Sequence, residues 1–258
     1  MNKASIFSLK GKMKEEVELP LVFQSPLRFD LIRRSFKVTQ MWKKQPQGRD
    51  PLAGNRHSVE SWGIGFGVAR LPRQKGSGFA NARNGAFVNM AKGGHRAHKP
   101  QADKNTKPKI NKKEKKIALR SAIAASSRKE LVSKRGHRIE NVKDIPLIVD
   151  DKIQTVKKTQ QIKEIFESLG LWDDVLKVKD SHKIRAGKGK VRGRRYKHKT
   201  GPLVVVKEDF GILKASRNLP GVDVVDIKQL SIENLAPGAM PGRLVLWTQS
   251  AFNTLSKL

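Results

Sequence analysis

Apolar residues recur along this chain at helical spacing in some stretches and as unbroken runs in others. Leu27, Leu31, Ile32 and Phe36 follow Ser25-Pro26 at helical intervals. Proline suits the first helical position and serine can cap it, so a helix is predicted from about residue 26 toward Trp42. Ile117, Ala118, Ala122, Ala125 and Leu131 predict a single helix running to Arg135-Gly136. Asn111-Lys112-Lys113-Glu114 at its start has the form of a capping box. Ile162, Ile165, Phe166 and Leu169 keep i, i+3, i+4, i+7 spacing and stop at Gly170. Phe210, Leu213 and Ala215 mark a shorter helix, and Ala251, Phe252 and Leu255 mark a last one capped by Thr248.

Four short runs are apolar, three of them without a break: Leu147 to Val149, Leu203 to Val206, Val222 to Val225 (interrupted by Asp223), and Leu244 to Trp247. Runs of this length rich in β-branched residues suit strands covered on both faces, as in a parallel sheet. Strands alternating with helices predict an α/β fold with a doubly wound, mainly parallel sheet. The body is expected to comprise residues 1–42 and 110–258.

Residues 43–109 show neither period. These 67 residues hold 10 of the 21 glycines, 14 Lys or Arg, and only Asp50, Glu60 and Asp103 as acids. Trp62, Ile64, Phe66, Val68, Leu71, Phe79, Phe87, Val88 and Met90 are threaded through them without an order that could build a core. A structureless segment this long is functional or disordered. Its apolar side chains suit the crevices of a partner, so 43–109 is expected to be an extended loop that leaves the body and enters that partner.

Charge makes that partner specific. The chain carries 54 Lys or Arg against 23 Asp or Glu, a formal net charge of +31. Self-repulsion on that scale calls for a polyanion. Residues 183–199 concentrate nine of the cations, Lys183, Arg185, Lys188, Lys190, Arg192, Arg194, Arg195, Lys197 and Lys199, with no acid. Gly187, Gly189 and Gly193 keep that stretch pliable and Tyr196 adds one aromatic ring, so it is read as a second, phosphate-binding loop. The candidate RNA contacts in 43–109 are Arg49, Arg56, Arg70, Arg73, Lys75, Arg83, Lys92, Arg96, His98 and Lys99. Gly76 and Gly78 let backbone approach RNA, and Trp62, Phe66 and Phe79 can stack on unpaired bases. Lys112, Lys113, Lys116 and Arg120 crowd the start of a helix, where they oppose its dipole unless phosphate is near. In the second loop the candidates are Lys188, Lys190, Arg192, Arg194, Arg195, Tyr196 and Lys197.

Other chemistries are not supported by the residues. There is no cysteine, which removes disulfides and thiolate sites. A doubly wound sheet invites a dinucleotide reading, but Asp150-Asp151-Lys152 and Lys207-Glu208-Asp209 follow two of the strands where a Gly-rich loop is required. His95 and His98 lack a nearby carboxylate, so RNA contact is favoured over zinc. Asp150-Asp151 and Asp173-Asp174 are read as helix caps. No catalytic constellation emerges, and no cofactor is expected. No stretch of about 18 apolar residues predicts a membrane span, and the first residues, from Met1, lack a signal-peptide apolar region.

Arg73-Gln74-Lys75-Gly76-Ser77-Gly78, Gly93-Gly94, and Asn111-Lys112-Lys113 followed by Ala118-Leu119-Arg120-Ser121-Ala122 resemble the ribosomal protein "L four" family of the large subunit. Gly193-Arg194-Arg195-Tyr196-Lys197 before Leu203 resembles that family's second basic loop. The resemblance runs from about residue 20 to the C-terminus. Phe79-Ala80-Asn81-Ala82 stands where bacterial members are Arg-rich, and the long C-terminal extension of eukaryotic members is missing, so the pattern is most similar to archaeal members.

The resemblance implies a three-layer α/β body and no enzymatic activity. It also implies cytoplasmic residence in the large subunit, contact with large-subunit ribosomal RNA and neighbouring ribosomal proteins, and a loop lining the nascent-chain exit tunnel. The midpoint of 43–109 lies near Gly76, and Gly76 and Gly78 suit a tight turn, so the loop is expected to reverse at 73–78. By the same resemblance Arg70, Leu71, Arg73, Gln74, Lys75, Gly76 and Ser77 face the nascent polypeptide. An RNA-modifying enzyme with a basic targeting arm and a free regulatory RNA binder are the competing readings. The first would need a Gly-rich loop after a strand, and the second would sediment apart from ribosomes.

Overall fold

In the computed structural model, residues 3–257 are described; Met1, Asn2 and Leu258, expected at the ends of the body, lie outside them. The chain opens with β1 (Lys3–Phe7), β2 (Met13–Glu18) and α1 (Phe29–Trp42), followed by the short strands β3 (Val59–Glu60) and β4 (Arg73–Gln74). Next come α2 (Lys112–Ser126), α3 (Lys129–Arg135), β5 (Leu147–Val149), α4 (Thr159–Leu169) and α5 (Trp172–Asp180). A two-residue pair, β6 (Lys183–Ile184) and β7 (Tyr196–Lys197), precedes β8 (Leu203–Val206), α6 (Ile212–Ser216) and β9 (Asp223–Asp226). The chain closes with α7 (Ile232–Leu235), β10 (Val245–Thr248) and α8 (Gln249–Thr254). It divides into two compact units, one of residues 1–40 with 109–258 and the other of 41–108.

In the first unit six strands form one sheet in the order β2-β1-β5-β10-β8-β9. Only the β1–β2 pair is antiparallel; β1–β5, β5–β10, β10–β8 and β8–β9 are parallel. The class is α/β with a mostly parallel sheet, as the alternation predicts. Register explains why three of the apolar runs are unbroken. Ile6, Ile148, Trp247, Val205 and Val225 lie side by side across five strands. They belong to one apolar cluster, which also holds Ile32, Ala118, Ala122, Ile123 and Phe252 from the helices. Leu147, Leu246, Val204 and Val224 form the alternate row and join a second cluster with Ile162, Phe166, Leu169, Val175 and Ile212. Successive side chains point to opposite faces, so a strand apolar at every position supplies two cores.

Two of the predicted strands shift by one residue, Asp223–Asp226 and Val245–Thr248 instead of Val222–Val225 and Leu244–Trp247. The hairpin β1–β2 has no counterpart in the sequence reading. It turns at Gly11 (φ 72°), whose N–H donates to the Ser8 carbonyl at 2.9 Å. Lys14, Glu15, Glu16 and Glu18 leave β2 almost wholly exposed, a charged edge that resists pairing with another chain.

The helix starts need correction. α1 begins at Phe29, not Pro26, because Leu21–Gln24 forms a 3-10 turn that Ser25 ends. The predicted single helix 112–135 is two. Ser126 and Ser127 hydroxyls donate back to the carbonyls of Ile123 (2.7 Å) and Ala124 (2.9 Å), and the helix ends there before restarting at Lys129. Asn111 is the N-cap residue of α2 but makes no side-chain bond, so the capping box does not form. Glu114 instead accepts from Arg34 at 3.2 Å. Thr248 likewise precedes α8 without capping it; Asp151 Oδ1 accepts from the Ser250 N–H at 2.9 Å in its place. Phe210 stays outside α6, exposed before Gly211. α4 ends as predicted, with Gly170 in the left-handed region (φ 76°) and Leu171 N–H returning to the Phe166 carbonyl at 2.8 Å.

Candidate nucleic-acid interface

The 41–108 unit is organised around β4. Val59 pairs with Gln74 and Glu60 with Arg73 on one side. On the other, Arg73 bridges Gly85, and Gln74 N–H donates to the Asn84 carbonyl at 3.0 Å. Arg73 and Gln74 are therefore strand residues between two neighbours rather than part of the turn. The reversal falls on residues 75–82, where Gly76 (φ 99°) and Gly78 (φ 83°) take a conformation that a Cβ would disfavour. Lys75 pairs with Glu60 at 3.1 Å.

One cleft of about 670 Å³ gathers much of the predicted chemistry, with Trp62, Phe66, Arg73, Lys75, Gly76 and Arg83 on its walls. The Trp62 and Phe66 rings stand 5.8 Å apart at 57°, and the Arg73 guanidinium lies 5.2 Å from the Trp62 ring centre. Arg73 Nη1 donates to the Arg83 carbonyl at 3.0 Å, while its buried Nε has no partner. An aromatic platform with a cation beside it fits a planar ring such as a nucleobase.

The other predicted residues of this unit lie apart from that cleft. Arg49, Arg70, Ser77, Phe79, Lys92, Arg96 and His98 are exposed, and Leu71 is half-buried. Arg56 pairs with Asp50 at 2.6 Å, and the Lys99 amine donates to the Pro51 carbonyl. His95 stacks on Phe87 with ring centres 6.3 Å apart. Among the described residues no group of three or more His, Asp or Glu could hold a metal ion.

In the first unit, Lys112, Lys113, Lys116 and Arg120 lie exposed along α2. The 183–199 loop has a two-residue stem, Lys183 opposite Lys197 and Ile184 opposite Tyr196. Arg185 N–H donates to the Arg195 carbonyl at 2.7 Å and its Nε to the Arg194 carbonyl at 3.0 Å. Gly193 (φ 76°) turns the chain after a 3-10 turn at Lys190–Arg192. With the backbone so occupied, the side chains of Lys188, Lys190, Arg192, Arg194, Arg195 and Lys197 all stand in solvent. Tyr196 stacks on His182 at 4.6 Å between ring centres.

α5 anchors this loop. Ser181 Oγ accepts from Lys199 N–H at 2.8 Å. Asp173 and Asp174 fall in the first turn of α5, as a capping reading expects, yet Asp174 is fully buried and does other work. It accepts from His137 Nδ1 at 2.7 Å and from Arg138 N–H at 3.1 Å, and its Oδ1 lies 3.7 Å from Lys177 Nζ. Burial pushes the Lys177 amine below its ordinary pKa; nearby Lys199 and Arg138 push the same way against the pull of Asp174. Arg138 and Lys177 thus stand beside the foot of the loop, a position the sequence reading missed. They lie 39 residues apart, 177 − 138, outside either basic loop, and only the fold brings them together.

The chain matches the family described as "Ribosomal protein L4/L1 family" over residues 17–258. It is 47% identical over 258 residues to "Large ribosomal subunit protein uL4" of Methanosphaera stadtmanae, covering 100% of this chain and 98% of that one. It is 47% identical over 255 residues to the protein of the same name from Methanopyrus kandleri, covering 99% and 98%. The corresponding protein of Pyrobaculum aerophilum is 45% identical over 257 residues, covering 99% and 90%.

Proposed function

The chain belongs to the Ribosomal protein L4/L1 family, and from that membership we propose residue roles for its two basic loops. It is a structural constituent of the large ribosomal subunit, not an enzyme. Its partners are large-subunit ribosomal RNA and neighbouring ribosomal proteins, and it resides with them in the cytoplasm. Among the described residues no helix is long and apolar enough to cross a membrane.

Residues 43–109 act as the extended, RNA-penetrating loop of a three-layer body formed by 1–42 and 110–258. Arg70, Arg73, Lys75 and Arg83 neutralise phosphates there, while Trp62 and Phe66 receive an unstacked base. The exposed cations of 183–199, with Lys112, Lys113, Lys116 and Arg120, grip RNA from the body. Arg70 to Ser77 line the tunnel and meet the nascent polypeptide. The observation that carries this reading is the Trp62–Phe66–Arg73 cleft beside a glycine turn, which pairs base-stacking surface with phosphate-neutralising charge in one place.

A photo-crosslinker placed along a stalled nascent chain tests the tunnel assignment. Crosslinks to Arg70–Gly78 are expected at one defined distance from the peptidyl end. Crosslinks only to RNA or other proteins at every distance would remove the tunnel role and leave RNA anchoring intact.

A further inference from the structure

Beside the foot of the 183–199 loop lies a cleft of about 540 Å³ with an unusual charge balance. Arg138, Lys177, Lys183, Lys197 and Lys199 line it, and Asp180 is the one carboxylate on its walls. These cations come from three places in the fold. Arg138 follows α3 and Lys177 lies on α5; Lys183 and Lys197 belong to the loop stem and Lys199 lies two residues beyond it. Buried Asp174 holds the backbone N–H that places Arg138 and faces the Lys177 amine directly. Ser181 holds the Lys199 backbone by accepting from its N–H.

The arrangement is electrostatically unfavourable in the free protein. Lys183 sits directly opposite Lys197 in an antiparallel pair, where like charges destabilise. The Lys177 amine is held below its ordinary pKa by burial, with Lys199 and Arg138 adding to the effect. Asp174 cannot neutralise the whole group, since it also serves His137 and the Arg138 backbone. Like charges brought together by independent tethers on three elements fit an anion that bridges them.

We propose that this cleft is a phosphodiester site, in which Arg138, Lys177 and Lys199 clamp consecutive backbone phosphates of large-subunit ribosomal RNA at the foot of the 183–199 loop. The site rests on the RNA-binding reading above. It differs from the exposed loop tip because the Lys177 amine, and the backbone that carries Arg138 and Lys199, are tethered before RNA arrives. The tethered Lys177 amine loses less side-chain freedom on binding than a lysine free in solvent.

The test uses the full chain, transcribed large-subunit ribosomal RNA and amine-reactive footprinting read by mass spectrometry. Binding should protect Lys177, Lys183, Lys197 and Lys199 of the unaltered protein. The R138Q/K177Q/K199Q variant keeps an amide donor for Asp174, and its thermal unfolding is checked first. Losing three phosphate contacts should flatten the slope of log K against log salt by about 2 and weaken binding at 0.1 M salt on the order of a hundredfold.

Reactive Lys177 in the complex, together with an unchanged slope in the variant, overturns the cleft and leaves loop-tip binding standing. If the unaltered chain binds no ribosomal RNA at all, the broader reading falls with it. Inorganic phosphate is the third arm. Lys177 protection by millimolar phosphate but not by RNA would make the cleft a small-anion site and overturn the RNA assignment.

Discussion

Asp174 is fully buried in the body, and its carboxylate accepts from the His137 ring and the Arg138 backbone while facing the Lys177 amine. Replacing it with Ala removes the acceptor and leaves the donors behind. His137 Nδ1 at 2.7 Å and Arg138 N–H at 3.1 Å lose their partner, and Lys177 loses its counter-charge. His137 Nε2 is already buried without a partner, so that ring has no second bond to fall back on. Two stranded donors at about 1–3 kcal/mol each give roughly 2–6 kcal/mol, which agrees with about 3–5 kcal/mol for breaking a buried pair. For a body of this size each kcal/mol moves the midpoint by about 2–4 °C, so Asp174→Ala should lower the melting temperature by roughly 6–20 °C. Scanning calorimetry without RNA measures it. Asp174→Asn keeps the shape and one acceptor and should cost less. The Asp174→Ala/His137→Ala pair should cost clearly less than the sum of its single changes, because the stranded histidine goes too. A shift below about 3 °C for Asp174→Ala, or additive single changes, would refute the role of this carboxylate as the anchor beneath the loop.

Gly170 and Gly187 have nearly the same φ, 76° and 77°, but a Cβ on Gly170 would lie 1.9 Å from the Asn141 carbonyl while one on Gly187 meets nothing within 4 Å. Gly170→Ala should therefore cost more than about 2 kcal/mol and Gly187→Ala about 1 kcal/mol, read by urea unfolding. The Lys14 ion pair holds the Asp150 carboxyl below its ordinary range. That contribution is present above the usual aspartate pKa and is lost as pH falls through the lower folded value. Asp150→Asn should then melt earlier than the unaltered protein at pH 7, by about 0.5–1 kcal/mol, with the gap closing below about pH 4. Neither apolar cluster of the body draws a residue from 43–109, so replacing that segment with a short Gly/Ser linker should leave cooperative unfolding of the remainder. A broad, non-cooperative transition would mean that the segment belongs to the body's core.

What could be read from the sequence follows from how local each cause is. β8 was legible because Leu203 to Val206 is buried at every position, an unbroken apolar run that only a two-sided sheet explains. α4 was legible because both its stripe and its Gly170 stop lie within a dozen residues. β2 was hidden: its residues are nearly all exposed, and pairing with β1 is what makes them a strand. The break between α2 and α3 depends on two hydroxyls turning back on their own helix, against an apolar period that continues past them. Glu114 stands at capping spacing, but Arg34, 80 residues away, takes its carboxylate. The loop cations were visible as runs in the sequence. Arg138 and Lys177 were not, since buried Asp174 brings them to the loop's foot through contacts between separate elements.

The phosphate grip proposed for the exposed cations of the 183–199 loop is read from the salt dependence of binding between the full chain and transcribed large-subunit ribosomal RNA. With Lys188, Lys190, Arg192, Arg194, Arg195 and Lys197 all changed to Ala, the slope of log K against log salt should flatten by about 4 to 5, as six phosphate contacts are lost. A slope equal to that of the unaltered chain, in a variant that still unfolds cooperatively, would contradict the claim.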